Sequence, residues 1–363
     1  MEHRKKEKVT FEHRRSLLRC VAALALAAVL ALTLAACGSV PGSTGGSGSF
    51  KMHFIDVGQA LSVLVESDGQ YLLYDGGNVA DGSLVVSYLK KQGVEELQYV
   101  FCSHAHEDHV GGLAAALAYF PAGHVYAPVT GAGTECFSNF VKYAQQQGKT
   151  VEVPAVGTSW MLGGATVRLL GPLGGYSDTN NSSLVLRIDY GSTSFLLTGD
   201  MEADAERDLV NSGANLKADV LQVGHHGSDS STSYIFLNEV LPEMAVISCG
   251  TGNSYGHPHE VTLSRLRDAG ADTYRTDLMG TITISSDGSN YTVGSERFVP
   301  DSELNPTLPD SEVTQQAYIG NVNSHKFHLP TCPNLPAEKN QILFSSYDEA
   351  VAEGYTPCGT CIK

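Results

Sequence analysis

The run at residues 103–109, Ser-His-Ala-His-Glu-Asp-His, holds three imidazoles and two carboxylates directly after the apolar stretch 97–102. Neutral nitrogen and anionic oxygen are the donors that Zn²⁺ and related divalent cations select. A buried strand that ends in this run would hold a metal where it still meets solvent and substrate. A His-rich polar loop is the alternative, and four donors at this spacing argue against it. We therefore predict a catalytic metal site built on His104, His106, Asp108 and His109.

Further candidate ligands follow other apolar runs. Taken singly, such residues are more often turn, cap or surface residues. A coordination site, however, needs donors from separate strand ends to converge, and this arrangement favours a single site. The additional candidates are Asp75, Asp200, His225, His226, His257 and His259.

The apolar patterning predicts the elements that position these donors. A strand-turn-strand meander begins at residue 51, and groups of consecutive predicted strands then follow with helices between the groups. Helices are predicted over 84–92, 113–119, 137–147, 203–211 and 262–269. This order indicates layered α/β packing rather than a strictly alternating chain. Cys102, Cys136 and Cys249 have no metal-like spacing and are predicted to be buried structural thiols.

The first 36 residues have the composition of a secretory signal, with a basic leader followed by an apolar run over 20–36. A transmembrane anchor is the alternative, since the run is near the minimum spanning length. Leu34-Ala35-Ala36-Cys37 resembles the bacterial lipoprotein box, which implies cleavage before Cys37 and lipidation of its thiol. Both interpretations predict an extracytoplasmic, membrane-attached protein, with 37–49 as a flexible tether.

The charge balance argues against strong nonspecific binding to polyanions. The leader holds 7 of the 23 basic and 3 of the 39 acidic residues, so the remainder carries a net charge of −20. Such a chain is repelled by nucleic acid at long range, although a local metal can override that repulsion.

The motifs resemble those of the metallo-β-lactamase superfamily. Their order over 50–298 further resembles the extracellular hydrolase domain of the ComEC family of DNA-uptake proteins. The segments that carry this second resemblance are 54–59, 181–187, 196–200, 225–228, 255–259 and 274–277. The resemblance implies a four-layer αβ/βα sandwich with two metals at one edge of two facing sheets.

The same resemblance implies a role for each ligand. His104 and His106 would hold the first metal, Asp108, His109 and His225 the second, and Asp200 would bridge both. Asp75 would accept an N–H from a ligand imidazole and fix its tautomer. Many superfamily members have another histidine where this chain reads Thr179-Asn180-Asn181-Ser182. The first site is therefore looser, uses Asn180 or Asn181, or accepts Mn²⁺ in place of Zn²⁺.

A pair of metals predicts hydrolysis of a phosphodiester, since both the attacking and the leaving oxygen can be stabilised. Asp108 and Asp200 would take part by holding the metals. His226, His257 and His259 are candidates to donate to the phosphate or to protonate the leaving oxygen. Their alternative role is that of hydrogen-bonded turn residues.

The tail forms a second predicted domain, 318–363, after an acidic, Pro-rich linker over 299–317. So small a domain needs a metal ion or a disulfide to stabilise it, because its hydrophobic core is small. A closed structural Zn²⁺ site would be made by His328, Cys332, Cys358 and Cys361. A Cys358–Cys361 disulfide with Cys332 free is the alternative. The tail resembles the zinc-binding domain of Ada, but His328 stands where Ada has its methyl-accepting cysteine. Alkyl transfer is therefore not implied. The resemblance implies instead a small structural zinc-binding domain that contacts nucleic acid or cell wall.

The leading hypothesis is a surface-anchored, metal-dependent phosphodiesterase, a nuclease that acts on extracellular DNA beside DNA-uptake or cell-wall machinery. A second hypothesis is hydrolysis of cell-wall or phosphocholine-type phosphodiesters or another small ester, which the negative charge favours. A third is a noncatalytic binding lipoprotein. The intact ligand set argues against the third, because a binding module has no need of an open two-metal site.

Overall fold

The structure is a computed structural model that describes residues 48–300, 304, 318–329, 332–344 and 347–362. The predicted signal peptide, Cys37 and most of the tether and linker lie outside the described residues. Within the described ranges, none of the helices is both long and apolar enough to cross a bilayer.

Two mixed sheets form the large domain. The first has the order β15-β14-β1-β2-β3-β4-β5-β6, and the second has the order β13-β12-β11-β10-β9-β8-β7. The strands are β1 Phe50–Phe54, β2 Val63–Ser67, β3 Gln70–Tyr74, β4 Leu97–Phe101, β5 Ala122–Tyr126, β6 Val151–Glu152, β7 Ser159–Leu162, β8 Ala165–Gly171, β9 Val185–Tyr190, β10 Thr193–Leu197, β11 Val220–Gln222, β12 Met244–Ile247, β13 Asp272–Arg275, β14 Ile282–Ser286 and β15 Tyr291–Ser295. In each sheet a parallel half, β3 to β6 or β10 to β13, adjoins an antiparallel half.

Helices cover the outer face of each sheet. They are α1 Gly82–Lys91, α2 Glu107–Val110, α3 Leu113–Tyr119, α4 Glu135–Gln146, α5 Ala203–Asn211, α6 Tyr234–Val240, α7 Glu260–Asp268 and α8 Thr276–Met279. Apolar residues of α1, α3 and α4 pack on the first sheet, and those of α5, α6 and α7 pack on the second. A third core joins the inner faces of the two sheets. The layers are therefore helix, sheet, sheet, helix, which confirms the predicted fold class.

Strand alternation divides residues between these cores. Along β4, Tyr99 and Phe101 face the core between the sheets, whereas Val100 between them faces the helices. Side chains on a strand point alternately to its two faces, so this apolar run fills two cores at once. Complete burial of such a side chain stabilises the fold by about 1.5–3 kcal/mol. β4 is therefore firmly held just before the metal-binding run begins.

The three scattered cysteines of the large domain are buried and free, as predicted. Cys102 lies in the core between the first sheet and its helices, and Cys249 lies in the equivalent core of the second sheet. Burial raises the pKa of the Cys102 thiol well above its ordinary value. These thiols are packing residues.

The C-terminal module is a small sheet of order β18-β16-β17-β19 with one helix. Its elements are β16 Tyr318–Asn321, β17 Lys326–His328, β18 Gln341–Phe344, α9 Tyr347–Ala352 and β19 Thr356–Pro357. Tyr318, Phe327, Phe344 and Tyr355 form its core. Tyr234 at the start of α6 stacks on Tyr347, with ring centroids 4.5 Å apart, so the module packs on the large domain.

Candidate metal centre

The chemistry-bearing loops meet where the parallel strands of both sheets end. Asp75 follows β3, residues 103–109 follow β4, Asp200 follows β10, and residues 225–226 follow β11. Carboxyl ends of parallel strands lie at one edge of a sheet, so facing sheets bring these loops together. The backbone N–H of Gly76 donates to the carbonyl of His109 at 2.7 Å. A Cβ on Gly112 would overlap the carbonyl of Gly76, so glycine permits this approach.

Four side chains from these loops form a tight cluster. Ligand atoms of Asp108, His109, Asp200 and His226 all lie within 4.8 Å of one another. His109 Nε2 is 3.2 Å from Asp200 Oδ2, and His226 Nε2 is 3.3 Å from Asp108 Oδ2. His226 Nε2 also lies 3.6 Å from Asp200 Oδ2. Two imidazoles and two carboxylates thus face a common point.

The donors in this cluster suit a divalent cation. His109 Nε2, His226 Nε2 and Asp200 Oδ1 are buried and have no hydrogen-bond partner among the described residues. Buried polar atoms are costly to leave unpaired, so unsatisfied atoms that converge call for a further partner. His226 donates its Nδ1–H to the carbonyl of Ser248 at 2.9 Å, which leaves the Nε2 lone pair free for a metal. The residues therefore fit the metal that the donor set predicts.

Asp75 orients the imidazoles from below the cluster. Its buried carboxylate accepts His109 Nδ1–H at 2.8 Å and the backbone N–H of Ser103 at 2.6 Å. It also accepts the Ser103 hydroxyl at 2.6 Å, and that hydroxyl lies 3.0 Å from His104 Nδ1. One carboxylate thus holds His109 directly and His104 through Ser103, with both Nε2 atoms available as ligands.

His104 and His106 form the other group that the sequence predicts. His104 Nε2 lies 3.0 Å from His106 Nδ1 and 3.9 Å from Asp200 Oδ2. His104 is fully buried, whereas His106 is exposed. Two imidazole nitrogens at that distance are satisfied by a proton or a cation between them. Their coordination of a first metal, with Asp200 shared between the two groups, stays a prediction.

The electrostatics of the centre favour cation binding. Although burial opposes it, the neighbouring imidazoles of His226 and His109 lower the pKa of Asp108 to about 2. The pKa of Asp200 is also well below its ordinary value, because His109 and His226 outweigh the cost of burial. Burial and the neighbouring His109 hold the pKa of His104 well below its usual range. Anionic carboxylates and the neutral His104 are the protonation states that metal ligands require, whereas Asp200 and Asp75 outweigh burial and raise the pKa of His109 well above its ordinary value. Metal binding at His109 would therefore release a proton from that ring.

Of the two histidines after β11, the structure places His226 in the cluster. The family resemblance implies that His225 binds the second metal, and His226 is a candidate to contact the phosphate, but the ligand atom that joins the cluster belongs to His226. Both residues adopt positive φ angles, 49° and 55°, so their side chains do not alternate as they would in a strand. His225 Nδ1 instead lies 3.0 Å from Glu202 Oε1, and its Nε2 is 3.9 Å from Asp200 Oδ2.

Asn180 and Asn181 make different contacts, and these distinguish their roles. Asn181 Oδ1 accepts the backbone N–H of Glu202 at 3.0 Å, so it caps the start of α5. Asn180 Oδ1 is buried and has no hydrogen-bond partner among the described residues. The Asn180 amide nitrogen lies 3.5 Å from His225 Nε2, at the side of the centre. Of the two alternatives, the geometry favours Asn180 as the ligand.

The two histidines of the 253–259 turn occupy different environments. Gln59 Nε2 donates to His257 Nδ1 at 3.3 Å, which leaves a proton on His257 Nε2. Burial and the neighbouring His225 lower the pKa of His257 to about 4, so this ring is neutral. His259 Nδ1 accepts the N–H of Asp229 at 3.0 Å, and its Nε2–H donates to the carbonyl of Tyr255 at 3.2 Å. His257 thus has a proton to offer a ligand, whereas His259 links two loops.

Ser103, Gln222 and Glu206 also shape the centre, although none of the sequence motifs predicts them. Gln222 Oε1 accepts the N–H groups of Thr198 and Gly199 at 2.7 and 2.8 Å, and its Nε2 donates to the carbonyls of Gly199 and Val223. This buried amide joins the loop of Asp200 to the loop of His226. Glu206 accepts the N–H of Ser233 at 2.9 Å behind that second loop. The one available signal was a polar residue within an apolar strand, Gln222 at the end of β11.

The tail brings its four predicted donors together. Ligand atoms of His328, Cys332, Cys358 and Cys361 lie within 4.8 Å of one another, and the thiols are free. His328 Nδ1 is 3.3 Å from Cys332 Sγ and 4.0 Å from Cys361 Sγ. Three thiols and an imidazole are a closed zinc-binding set, which fits the structural ion and not the disulfide alternative.

The sheets and the His/Asp centre define an α/β metallohydrolase. Residues 55–251, more than half of the chain, match the Metallo-beta-lactamase superfamily, and residues 308–362 match the metal binding domain of Ada. The chain belongs to the metallo-β-lactamase superfamily and carries an Ada-type zinc-binding domain at its C-terminal end.

Its large domain is related to competence proteins. It is 37% identical over 230 residues to competence protein ComA of Neisseria gonorrhoeae, covering 62% of this chain and 31% of that protein. It is 30% identical over 251 residues to ComE operon protein 3 of Bacillus subtilis, covering 64% and 32%. The chain spans about a third of the length of these curated relatives.

Solved structures with a similar arrangement include the metallo-beta-lactamase fold protein YhfI from Bacillus subtilis. That structure is 14% identical, with a TM-score of 0.43, and the match covers 68% of this chain and all of YhfI. Tm1679, a metal-dependent hydrolase of the beta-lactamase superfamily, is 17% identical with a TM-score of 0.41, covering 62% and 95%.

Proposed function

We propose that this protein is a metal-dependent phosphodiesterase that cleaves DNA outside the cytoplasmic membrane. The observation that carries the proposal is the convergence of unpartnered ligand atoms of His109, Asp200 and His226 beside the partly exposed Asp108. A structural metal site would be closed, whereas the Asp108 side chain is 33% exposed here, which would let a substrate oxygen approach the cluster. The relation to competence proteins supports nucleic acid as the substrate class.

The chain's own residues would divide the chemistry. Asp108, His109, Asp200 and His226 would hold one divalent ion, and His104, His106 and Asn180 would hold the other against Asp200. Bound there, the ions lower the pKa of a water molecule and neutralise charge on the phosphate. Asp75 keeps the Nδ1 protons of His109 and, through Ser103, His104 in place. His257, neutral and protonated at Nε2, is suited to donate to a phosphate oxygen or to the leaving oxygen.

The test incubates the purified protein with Zn²⁺ or Mn²⁺ and either linear DNA or bis(p-nitrophenyl) phosphate. Asp200→Asn removes a charge from the centre and should abolish cleavage of both substrates. Asp219→Asn is the matched control, because Asp219 accepts the N–H and hydroxyl of Ser194 at 2.7 and 2.8 Å in the second sheet, outside the cluster. Failure of the wild-type protein to cleave either substrate would refute the proposal.

A second candidate is hydrolysis of small cell-wall or phosphocholine-type phosphodiesters. The net charge of −16 favours it, because a long polyanion is repelled by an acidic protein. Rapid cleavage of the small diester with intact DNA would support this candidate over the nuclease.

The proposed location is the outer face of the cytoplasmic membrane, with Cys37 as the lipid attachment point and DNA-uptake or cell-wall machinery as neighbours. Cys37→Ser should abolish incorporation of a labelled fatty acid and leave unprocessed precursor. Unchanged labelling and membrane attachment in that variant would contradict the anchor.

A further inference from the structure

Three aromatic rings lead from the metal cluster to the surface. The ring of His257 lies 6.5 Å from that of His226, with an interplanar angle of 22°. The ring of Tyr255 stacks on His257 at 5.6 Å and 24°. Tyr255 is 68% exposed, so one side of its ring faces His257 and much of the remaining side chain faces solvent. The outermost ring is therefore two ring spacings from a proposed metal ligand.

The loop that carries Tyr255 is held by several hydrogen bonds. Asn253 Oδ1 accepts the backbone N–H groups of Tyr255 and His257 at 3.1 and 3.0 Å. Asn253 Nδ2 donates to the carbonyl of Gly250 at 2.9 Å. The carbonyl of Tyr255 accepts His259 Nε2–H at 3.2 Å. A ring presented on so constrained a loop loses little entropy when a ligand packs on it.

An exposed aromatic face at this place fits a nucleobase. Stacking of a base on an aromatic side chain contributes about 1–3 kcal/mol and depends little on base identity. The attraction also needs no positive charge, which matters because the chain carries a net charge of −16. In a duplex the faces of a base are covered by its neighbours, so a base that stacks on protein is unpaired or splayed out.

We propose that Tyr255 is the stacking platform for an unpaired base next to the scissile phosphate, and that the preferred substrate is therefore single-stranded nucleic acid. This inference rests on the proposed phosphodiesterase function and adds the substrate form and a residue that selects it. Tyr255 would bind the base and position the substrate, and the His257 ring lies between Tyr255 and the His226 ring of the cluster.

Binding is measured with an oligonucleotide that contains 2-aminopurine, whose fluorescence is quenched on stacking, first in chelator and then with Mn²⁺. Tyr255→Ala should weaken binding roughly 5- to 150-fold and remove the quenching. Tyr255→Phe should retain both. Tyr119→Ala is the matched control, because Tyr119 is 60% exposed on α3 beneath the Lys90 ammonium and lies on the outer helices. An oligonucleotide of abasic residues should bind wild type and Tyr255→Ala equally.

Equal binding and equal quenching by wild type and Tyr255→Ala would overturn the inference, as would faster cleavage of duplex than of single-stranded DNA. Absence of oligonucleotide binding by the wild type would also overturn it. If bis(p-nitrophenyl) phosphate is hydrolysed in those cases, the phosphodiesterase proposal stands without the platform. If no phosphodiester is hydrolysed, the proposed function fails, and quenching still decides whether the ring binds a base.

Discussion

Substitution of Asp75 by asparagine tests how the centre is organised. The carboxylate receives three short hydrogen bonds, at 2.6, 2.6 and 2.8 Å, from Ser103 and His109. An asparagine offers one oxygen and one NH₂ group in their place, so at least one donor meets another donor. Loss of a buried, paired charge typically costs about 3–5 kcal/mol of folding free energy.

The more specific effect is on metal affinity. Without its acceptor, His109 Nδ1–H no longer fixes the tautomer that leaves Nε2 free for a metal. Removal of such a supporting group lowers metal affinity about 10- to 100-fold. We expect Asp75→Asn to show this loss in competition with a chromophoric chelator. Asp219→Asn, which also loses hydrogen bonds from a serine N–H and hydroxyl, should lose stability and retain metal affinity.

A folded Asp75→Asn protein with wild-type metal affinity would refute this reasoning. Should that variant not fold, Ser103→Ala provides the second measurement, because it breaks the link to His104 and leaves the Asp75–His109 hydrogen bond. It should weaken binding of one of two metal equivalents. Unchanged affinity for both equivalents would show that His104 needs no support from Ser103.

Three further predictions concern other parts of the chain. Gln222→Ala leaves buried backbone groups unpaired, so it should lower the free energy of unfolding in urea by about 3–5 kcal/mol and should also lower metal affinity. Gln147→Ala is the control: it loses similar hydrogen bonds near α3 and should lower the free energy of unfolding without changing metal affinity. Burial lowers the pKa of His53 to about 4, so the unfolded chain binds a proton at this residue more readily than the folded chain does. The contribution of neutral His53 to the free energy of unfolding is therefore complete above pH 6.5 and is lost as the pH falls towards 4. Relative to His53→Gln, the wild type should lose about 3 kcal/mol of its free energy of unfolding between pH 7 and pH 4, as measured by urea titration at both pH values. The same difference in free energy between the two proteins at pH 7 and at pH 4 would contradict this. Cys358→Ser should lower the zinc content by one ion per chain and leave diester hydrolysis unchanged, and an unaltered zinc content would argue against the zinc site.

Sequence patterning predicted the layers because apolar periodicity reports burial directly. The helices over 113–119 and 203–211 have the predicted bounds, as α3 and α5. The helix predicted over 137–147 begins two residues earlier, at Glu135, because the side chain of Thr134 caps it by accepting the N–H of Phe137. Such a cap lies before the first apolar position, so periodicity alone does not detect it.

The candidate site was predicted less completely, since turns and long-range contacts decide its details. Residues 104–109 and Asp200 follow strands, and strand ends can be located from sequence. Neither His225 nor His226 follows strand alternation, because both have positive φ, so the sequence does not predict which of the two joins the cluster. Ser103 and Gln222 were missed because their partners, Asp75 and Gly199, come from other loops.

The centre draws its ligands from both sheets, and this makes metal binding part of folding. Asp108 and His109 follow β4 of the first sheet, whereas Asp200 and His226 follow strands of the second. An ion bound by all four exists only when the two sheets are assembled, so it binds the folded chain and not the unfolded one. Each tenfold rise in free metal above its dissociation constant then adds about 1.4 kcal/mol to the free energy of unfolding. The melting temperature of this protein would report the free metal concentration around it, and metal starvation would shorten the lifetime of the protein as well as its activity.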